Sequence, residues 1–92
     1  MIIEGTSATI SFTVDDASTA VSLGSGDVPV LGTPKVVALI EQAAVAALAG
    51  SLTGEETTVG TNVNVDHLAP TRVGATVKAA AIVTGIGSGA GR

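Results

Sequence analysis

The stretch Thr33-Pro34-Lys35-Val36-Val37-Ala38-Leu39-Ile40-Glu41-Gln42-Ala43-Ala44-Val45-Ala46-Ala47-Leu48-Ala49-Gly50 decides the fold. Thr33 is a good N-cap, and Pro34 suits the first helical position, where its missing N–H costs nothing. Every later residue through Ala49 tolerates helix, and alanine, the best helix former, recurs along it. Gly50 is placed as a left-handed stop. The spacing therefore predicts a helix over 34–49, about 24 Å long. After Pro34 only Lys35, Glu41 and Gln42 are polar. A helix apolar on nearly every side is expected to be wrapped by other elements.

Strand-like alternation flanks this helix. Residues 7–14 place Ala8, Ile10, Phe12 and Val14 on one face and Ser7, Thr9, Ser11 and Thr13 on the other, which predicts a half-buried strand. Residues 15–27 read as a Ser-, Gly- and Asp-rich connection with a helical turn at 16–22. Residues 51–56 read as a polar turn. Alternation returns over 57–68, where Val59, Thr61, Val63, Val65 and His67 share the face expected to pack on the helix. A connection at 69–74, punctuated by Pro70 and Gly74, leads to a third strand over 75–84 with Ala75, Val77, Ala79, Ala81 and Val83 on one face. A glycine-rich end, 85–92, follows. Strands on both sides of one apolar helix point to an α+β domain whose antiparallel sheet curls around it.

Composition narrows the function. The chain has 92 residues, so it is one domain, 1–92. It has no cysteine, which excludes disulfides, zinc–thiolate sites and a cysteine nucleophile. Eight acids oppose four bases, and Phe12 is the sole aromatic residue. Both facts argue against nucleic-acid binding, which needs a basic surface and stacking rings. Residues are 46% apolar and only 13% charged, so a chain this short is expected to bury apolar surface against a partner. The apolar run 36–49 is too short, and too polar at Glu41 and Gln42, to span a bilayer. Met1–Gly5 lack the basic-then-apolar pattern of a secretory signal, so a cytoplasmic location is expected.

Three side chains stand out. His67 is the only histidine and falls on the helix-facing parity of its strand. Its imidazole needs a hydrogen-bond partner there, whether in a packing or a functional role. Glu41 is the only acid on the long helix. Buried, it has a raised pKa suited to a general base; exposed, it shares with Gln42 the one wet stripe of the helix. Thr33 caps a helix N-terminus, which is also where an oxyanion is stabilised. Thr33 and Glu41 lie eight residues apart, about 12 Å along one helix, so a shared site needs a substrate spanning the gap or residues from two chains.

Other features are set aside. Gly24-Ser25-Gly26 and the terminal glycine run have no phosphate-loop lysine. The Asp15-Asp16 pair reads as a turn and cap, and the scattered acids offer no metal-ligand spacing.

The segments GSGDVPVLGTPKVVALIEQAA (24–44) and ETTVGTNVNVDHLAPTRVGATV (56–77) resemble hot-dog fold thioesterases similar to fluoroacetyl-CoA thioesterase. The second is the more specific, with T-x-G-T at 58–61, H-x-x-P-T at 67–71 and G-x-x-V at 74–77. The resemblance covers about residues 6 to 84. It implies a hot-dog sheet around one central helix and hydrolysis of an acyl-CoA-type thioester, with coenzyme A as part of the substrate and no separate cofactor or metal. It implies a homodimer with its sites at the dimer interface. It assigns the family's catalytic threonine, glutamate and histidine to Thr33, Glu41 and His67, and an acyl-placing backbone amide to Gly60. The family pattern continues into two more long strands that these 92 residues do not contain. Where the family has aromatic lid residues, the lead-in here has Asp27, Val28 and Val30. The alternatives are a hot-dog dehydratase or hydratase, which also pairs a histidine with an acid, and a non-catalytic acyl-CoA-binding module or inactive fragment.

Overall fold

The computed structural model describes residues 3–50, 52, 65 and 67–85. In chain order these form strand β1 (Ser7–Thr13), a 3₁₀ turn (Asp16–Ser18), a one-turn helix α1 (Ala20–Leu23), the long helix α2 (Thr33–Leu48) and strand β2 (Thr76–Ile82). The α+β order expected from the sequence is present.

β1 and β2 pair antiparallel, from Ser7 opposite Ile82 to Thr13 opposite Thr76. Backbone bonds extend the pairing beyond both ends. The Val83 N–H donates to the Thr6 carbonyl and the Val14 N–H to the Ala75 carbonyl, each at 2.8 Å. The strands alternate as their sequences do. Ala8, Ile10 and Phe12 are half-buried, as are Ala81, Ala79 and Val77 opposite them. Each large side chain of β1 faces a smaller one of β2, which lets α2 lie across both strands. On the outer face Thr13 and Thr76 bring their hydroxyls to 3.3 Å.

α2 buries one ridge, Leu39, Ala43 and Ala47, spaced by four residues. Val14 and Leu31 join it in the core. Glu41, Gln42, Ala44, Val45 and Ala46 are exposed, and Val45 keeps 52% of its surface. The expectation of a helix wrapped on all sides is therefore not met by the described residues. Two strands about 4.8 Å apart cover one side of a cylinder about 10 Å across.

The helix ends also differ from expectation. The N-cap is Gly32, in extended conformation, and Thr33 is already helical. A Cβ on Gly32 would lie 2.9 Å from Leu23 Cδ1 and 3.1 Å from Ala20 Cα, so close packing against α1 selects glycine at the cap. At the other end Ala49 stays right-handed (φ −56°, ψ −38°), and Gly50 is not among the positive-φ glycines. The last turn closes as a 3₁₀ bond, Ala49 N–H to the Ala46 carbonyl at 3.4 Å, instead of the left-handed stop.

The expected turn at 16–22 resolves into the 3₁₀ turn and α1. Asp15 and Ser18 cap each other. The Ser18 N–H donates to Asp15 Oδ1 at 2.9 Å, and the Asp15 N–H donates to Ser18 Oγ at 3.1 Å. The Asp15-Asp16 pair thus takes the cap role read from the sequence. Of the strand expected over 57–68, residues 57–64 and 66 lie outside the described residues, Gly60 among them. Val65, His67 and Leu68 carry no strand assignment. The polar turn at 51–56 is outside too, except for Leu52, as is the glycine tail from residue 86. Among the described residues no helix is long and apolar enough to cross a membrane.

Candidate active site

The site begins with a short segment, Val30–Gly32, held from both sides. On one side the Ala20 N–H donates to the Val30 carbonyl at 2.8 Å, and the Gly32 N–H donates to the Ser18 carbonyl at 2.9 Å. On the other, Val30 bridges Arg72, and the Leu31 N–H donates to the Thr71 carbonyl at 2.8 Å. These bonds fix the first turn of α2 beside the segment that runs from His67 to Arg72.

Thr33 Oγ1 and His67 Nδ1 consequently lie 2.8 Å apart. The Thr33 hydroxyl is available because it is not capping the helix. The bond has two forms. When the Thr33 hydroxyl donates to Nδ1, the ring proton sits on Nε2, which is then a donor. When Nδ1–H donates to Thr33 Oγ1, Nε2 has a free lone pair in the neutral ring, and the Thr33 hydroxyl keeps its own proton for another acceptor. Both forms leave Nε2 free for chemistry. Thr33 also sits at the partially positive end of the long helix.

His67 borders a cavity of about 300 Å³ between α2, β2 and the 67–71 segment. Its wall includes Leu31, Val36, Leu39, Ile40 and Val77. Such a space is at the small end of ligand pockets, and its aliphatic lining with a few polar groups is their usual composition.

Glu41 is elsewhere. It lines a separate open groove with Ile10, Ala38, Gln42, Val45 and Ala46, and it is exposed. Of the two settings weighed for it, buried or on the wet stripe with Gln42, the described residues show the second. Eight residues of helix place Glu41 about 12 Å beyond Thr33 and about 80° around the axis. The structure thus joins Thr33 with His67 and leaves Glu41 apart.

Lys35, two residues after Thr33, holds its Nζ 4.5 Å from the centroid of the Phe12 ring. This cation–π contact ties the first turn of α2 to β1. Among the described residues no group of three His, Cys, Asp or Glu side chains is placed to hold a metal.

Sequence reasoning missed the cavity wall. The helical part was available in the Val36, Leu39, Ile40 spacing, which marks one side of a helix. Leu31 and Thr71 gave no such signal, because the pairing that joins them is non-local.

A family model for fluoroacetyl-CoA-specific thioesterases matches residues 14–89. Among solved structures, the fluoroacetyl-CoA thioesterase FlK aligns with a TM-score of 0.87 and 29% identity, over 95% of this chain and 69% of that one. A phenylalanine-to-alanine variant of it, in complex with fluoroacetate and CoA, aligns with a TM-score of 0.85 and 29% identity, over 95% and 74%. A threonine-to-alanine variant with fluoroacetate gives 0.85 and 28%, over 94% and 69%. No curated protein matches the chain in sequence.

Proposed function

This chain belongs to the fluoroacetyl-CoA-specific thioesterase family, and from that premise we propose that it hydrolyses an acyl-CoA thioester with Thr33, Glu41 and His67 as its catalytic set. The α+β fold is the hot-dog arrangement. The observation that supports the site most directly is the Thr33–His67 hydrogen bond at 2.8 Å, at the edge of an aliphatic cavity.

The chemistry adds water across the C–S bond and yields a carboxylate, a free thiol and a proton. Glu41 takes the proton from the attacking water, or attacks the carbonyl itself to give an anhydride that water then opens. His67 delivers a proton from Nε2 to the departing thiolate. A doubly protonated His67 donates through Nδ1–H to Thr33 Oγ1. The Thr33 hydroxyl is then free to donate to the carbonyl oxygen as negative charge gathers there. Gly60, whose position matches the family's acyl-placing amide, supplies a second donor to that oxygen.

The distance along α2 supports a homodimer. Glu41 of the partner subunit completes the site that Thr33 and His67 begin, and the exposed groove around Glu41 is where the second copy approaches. Residues 1–92 act as one domain, in the cytoplasm, with CoA as part of the substrate and no metal or separate cofactor.

The test is release of free thiol from acyl-CoA by the purified chain, alongside Glu41→Ala and His67→Ala. Wild-type rates in both variants sink the assignment. Loss of water in place of thiol release moves the chain to the dehydratases.

A further inference from the structure

The helix start that carries Thr33 is tied down at one buried threonine. We propose that Thr19 is a positioning residue for the thioester hydrolysis: it holds the lead-in to α2 so that the Thr33 hydroxyl meets His67. The inference rests on the thioesterase reading above.

Thr19 is bridged antiparallel to Leu31, and the peptide unit on each side of it bonds the lead-in. Before it, the Ser18 carbonyl accepts from the Gly32 N–H at 2.9 Å; after it, the Ala20 N–H donates to the Val30 carbonyl at 2.8 Å. On its other side the Leu31 N–H donates to the Thr71 carbonyl at 2.8 Å. Thr19, Leu31 and Thr71 thus lie side by side, with Leu31 in the middle. Thr33 comes two residues after Leu31, and His67 four before Thr71. A tilt at Thr19 therefore reaches Thr33 through at most about 7 Å of chain.

The side chain fixes that bridge. Thr19 and Leu31 each keep only 4% of their surface. Thr19 is extended (φ −75°, ψ 156°), a conformation that suits a β-branched residue. Its Oγ1 donates to the Asp16 carbonyl at 2.9 Å and accepts from the Ser22 N–H at 3.3 Å. The first bond ties Thr19 back to the 3₁₀ turn, and the second caps α1. A four-residue helix has little stability of its own, so this cap matters most for what α1 presses on. That is Gly32, whose missing side chain lets Leu23 and Ala20 come close. Asp15 grips the N–H and Oγ of Ser18 and not the carbonyl that Gly32 uses, so the two caps act on different ends of that residue.

The experiment measures kcat and KM by thiol release from whichever of acetyl-, fluoroacetyl- and butyryl-CoA the wild type turns over fastest. The variants are Thr19→Val, which removes the hydroxyl at similar volume, Thr19→Ser, which keeps it, and Ala20→Pro. Proline is tolerated at the first position of α1 and removes the N–H that holds Val30. Each is made alone and with Thr33→Ala, and urea denaturation puts rates on a per-folded-molecule basis. Thr19→Val and Ala20→Pro should lower kcat about tenfold with KM within about twofold, as a misplaced reacting group does. Thr19→Ser should stay within about threefold of wild type, because the cap is kept. With Thr33→Ala present, neither damaging substitution should cost more than about twofold further, since residues acting through one group are not additive. Wild-type kcat in Thr19→Val overturns the proposal, as does a loss that Thr19→Ser shares or one that multiplies undiminished onto Thr33→Ala. The hydrolase reading survives each of these. Should Thr19→Val fail to fold, Ala20→Pro decides by the same cycle. Thiol release by the wild type from none of the three thioesters overturns both.

Discussion

Thr33 on the first turn of α2 and His67, 34 residues later, meet through a 2.8 Å hydrogen bond between Oγ1 and Nδ1. Neither residue is placed there by its own element alone. The contact exists because Leu31 bonds Thr71 and Val30 bridges Arg72, which docks the helix start against the end of the histidine segment.

That pair should behave as a unit. His67→Ala is expected to lower kcat/KM for acyl-CoA hydrolysis by at least about 100-fold, the usual contribution of a positioned acid–base group. Thr33→Ala should lower it less, and Thr33→Ser should stay within about fivefold of wild type because the hydroxyl is kept. Equal losses in the serine and alanine variants would show that the methyl group matters and not the hydrogen bond.

Glu41 separates activity from stability. It is exposed, and a substitution at such a position usually changes stability by no more than about 0.5 kcal/mol. Glu41→Gln should therefore leave the denaturation midpoint unmoved while kcat falls by at least about 100-fold. A large loss of stability would place the carboxylate in a structural contact instead.

Mixing two dead variants tests the two-chain site. When Glu41→Ala and His67→Ala proteins are co-refolded in equal amounts, half the dimers are mixed, and one of the two sites in each is intact. Activity should return to about a quarter of wild type, as two-fold symmetry requires. If Glu41 serves its own chain, no activity returns.

Gly32 is held by contact on both sides. A methyl group there meets Leu23 Cδ1 at 2.9 Å and the backbone of Ala20 at 3.1 Å. Gly32→Ala should destabilise the fold by about 1–3 kcal/mol, the usual cost of overpacking. It should also lower activity, because the shift falls next to Thr33. Urea denaturation and thiol release check the two effects separately.

Asp15 gives a control remote from the chemistry. Its side chain caps the 3₁₀ turn through Ser18, and Asp15→Ala should cost about 1 kcal/mol. Per folded molecule, activity should be unchanged. A selective loss of activity would connect this turn to the site.

The local elements were largely legible in the sequence. β1 follows the alternation of Ser7 to Val14 and β2 that of Ala75 to Val83, because a strand's period of two puts alternate side chains on opposite faces whatever surrounds it. The body of α2 follows from its run of helix formers. Its ends did not, because a cap competes with tertiary contacts. Thr33 has a good capping side chain, but Gly32 takes the cap where α1 presses close, and the threonine hydroxyl goes to His67.

The candidate site divides the same way. Residue type and spacing singled out Thr33, Glu41 and His67, since an isolated polar group in an apolar run is costly unless it has a task or a partner. Burial was not legible. Among the described residues two strands cover one side of the helix and Glu41 is exposed on another, a matter of what packs on the helix and not of the helix sequence.

By itself the sequence determined strands β1 and β2, the body of the long helix, and which three side chains stand out chemically, because period and propensity are local properties of the chain. Only the tertiary structure decided that Thr33 touches His67, that His67 borders an aliphatic cavity, and that Glu41 lies in a different groove. Those relations depend on backbone hydrogen bonds between residues about forty positions apart, such as Leu31 to Thr71. Pairing at that range is set by the free energy of the whole packed arrangement, not by any window of sequence.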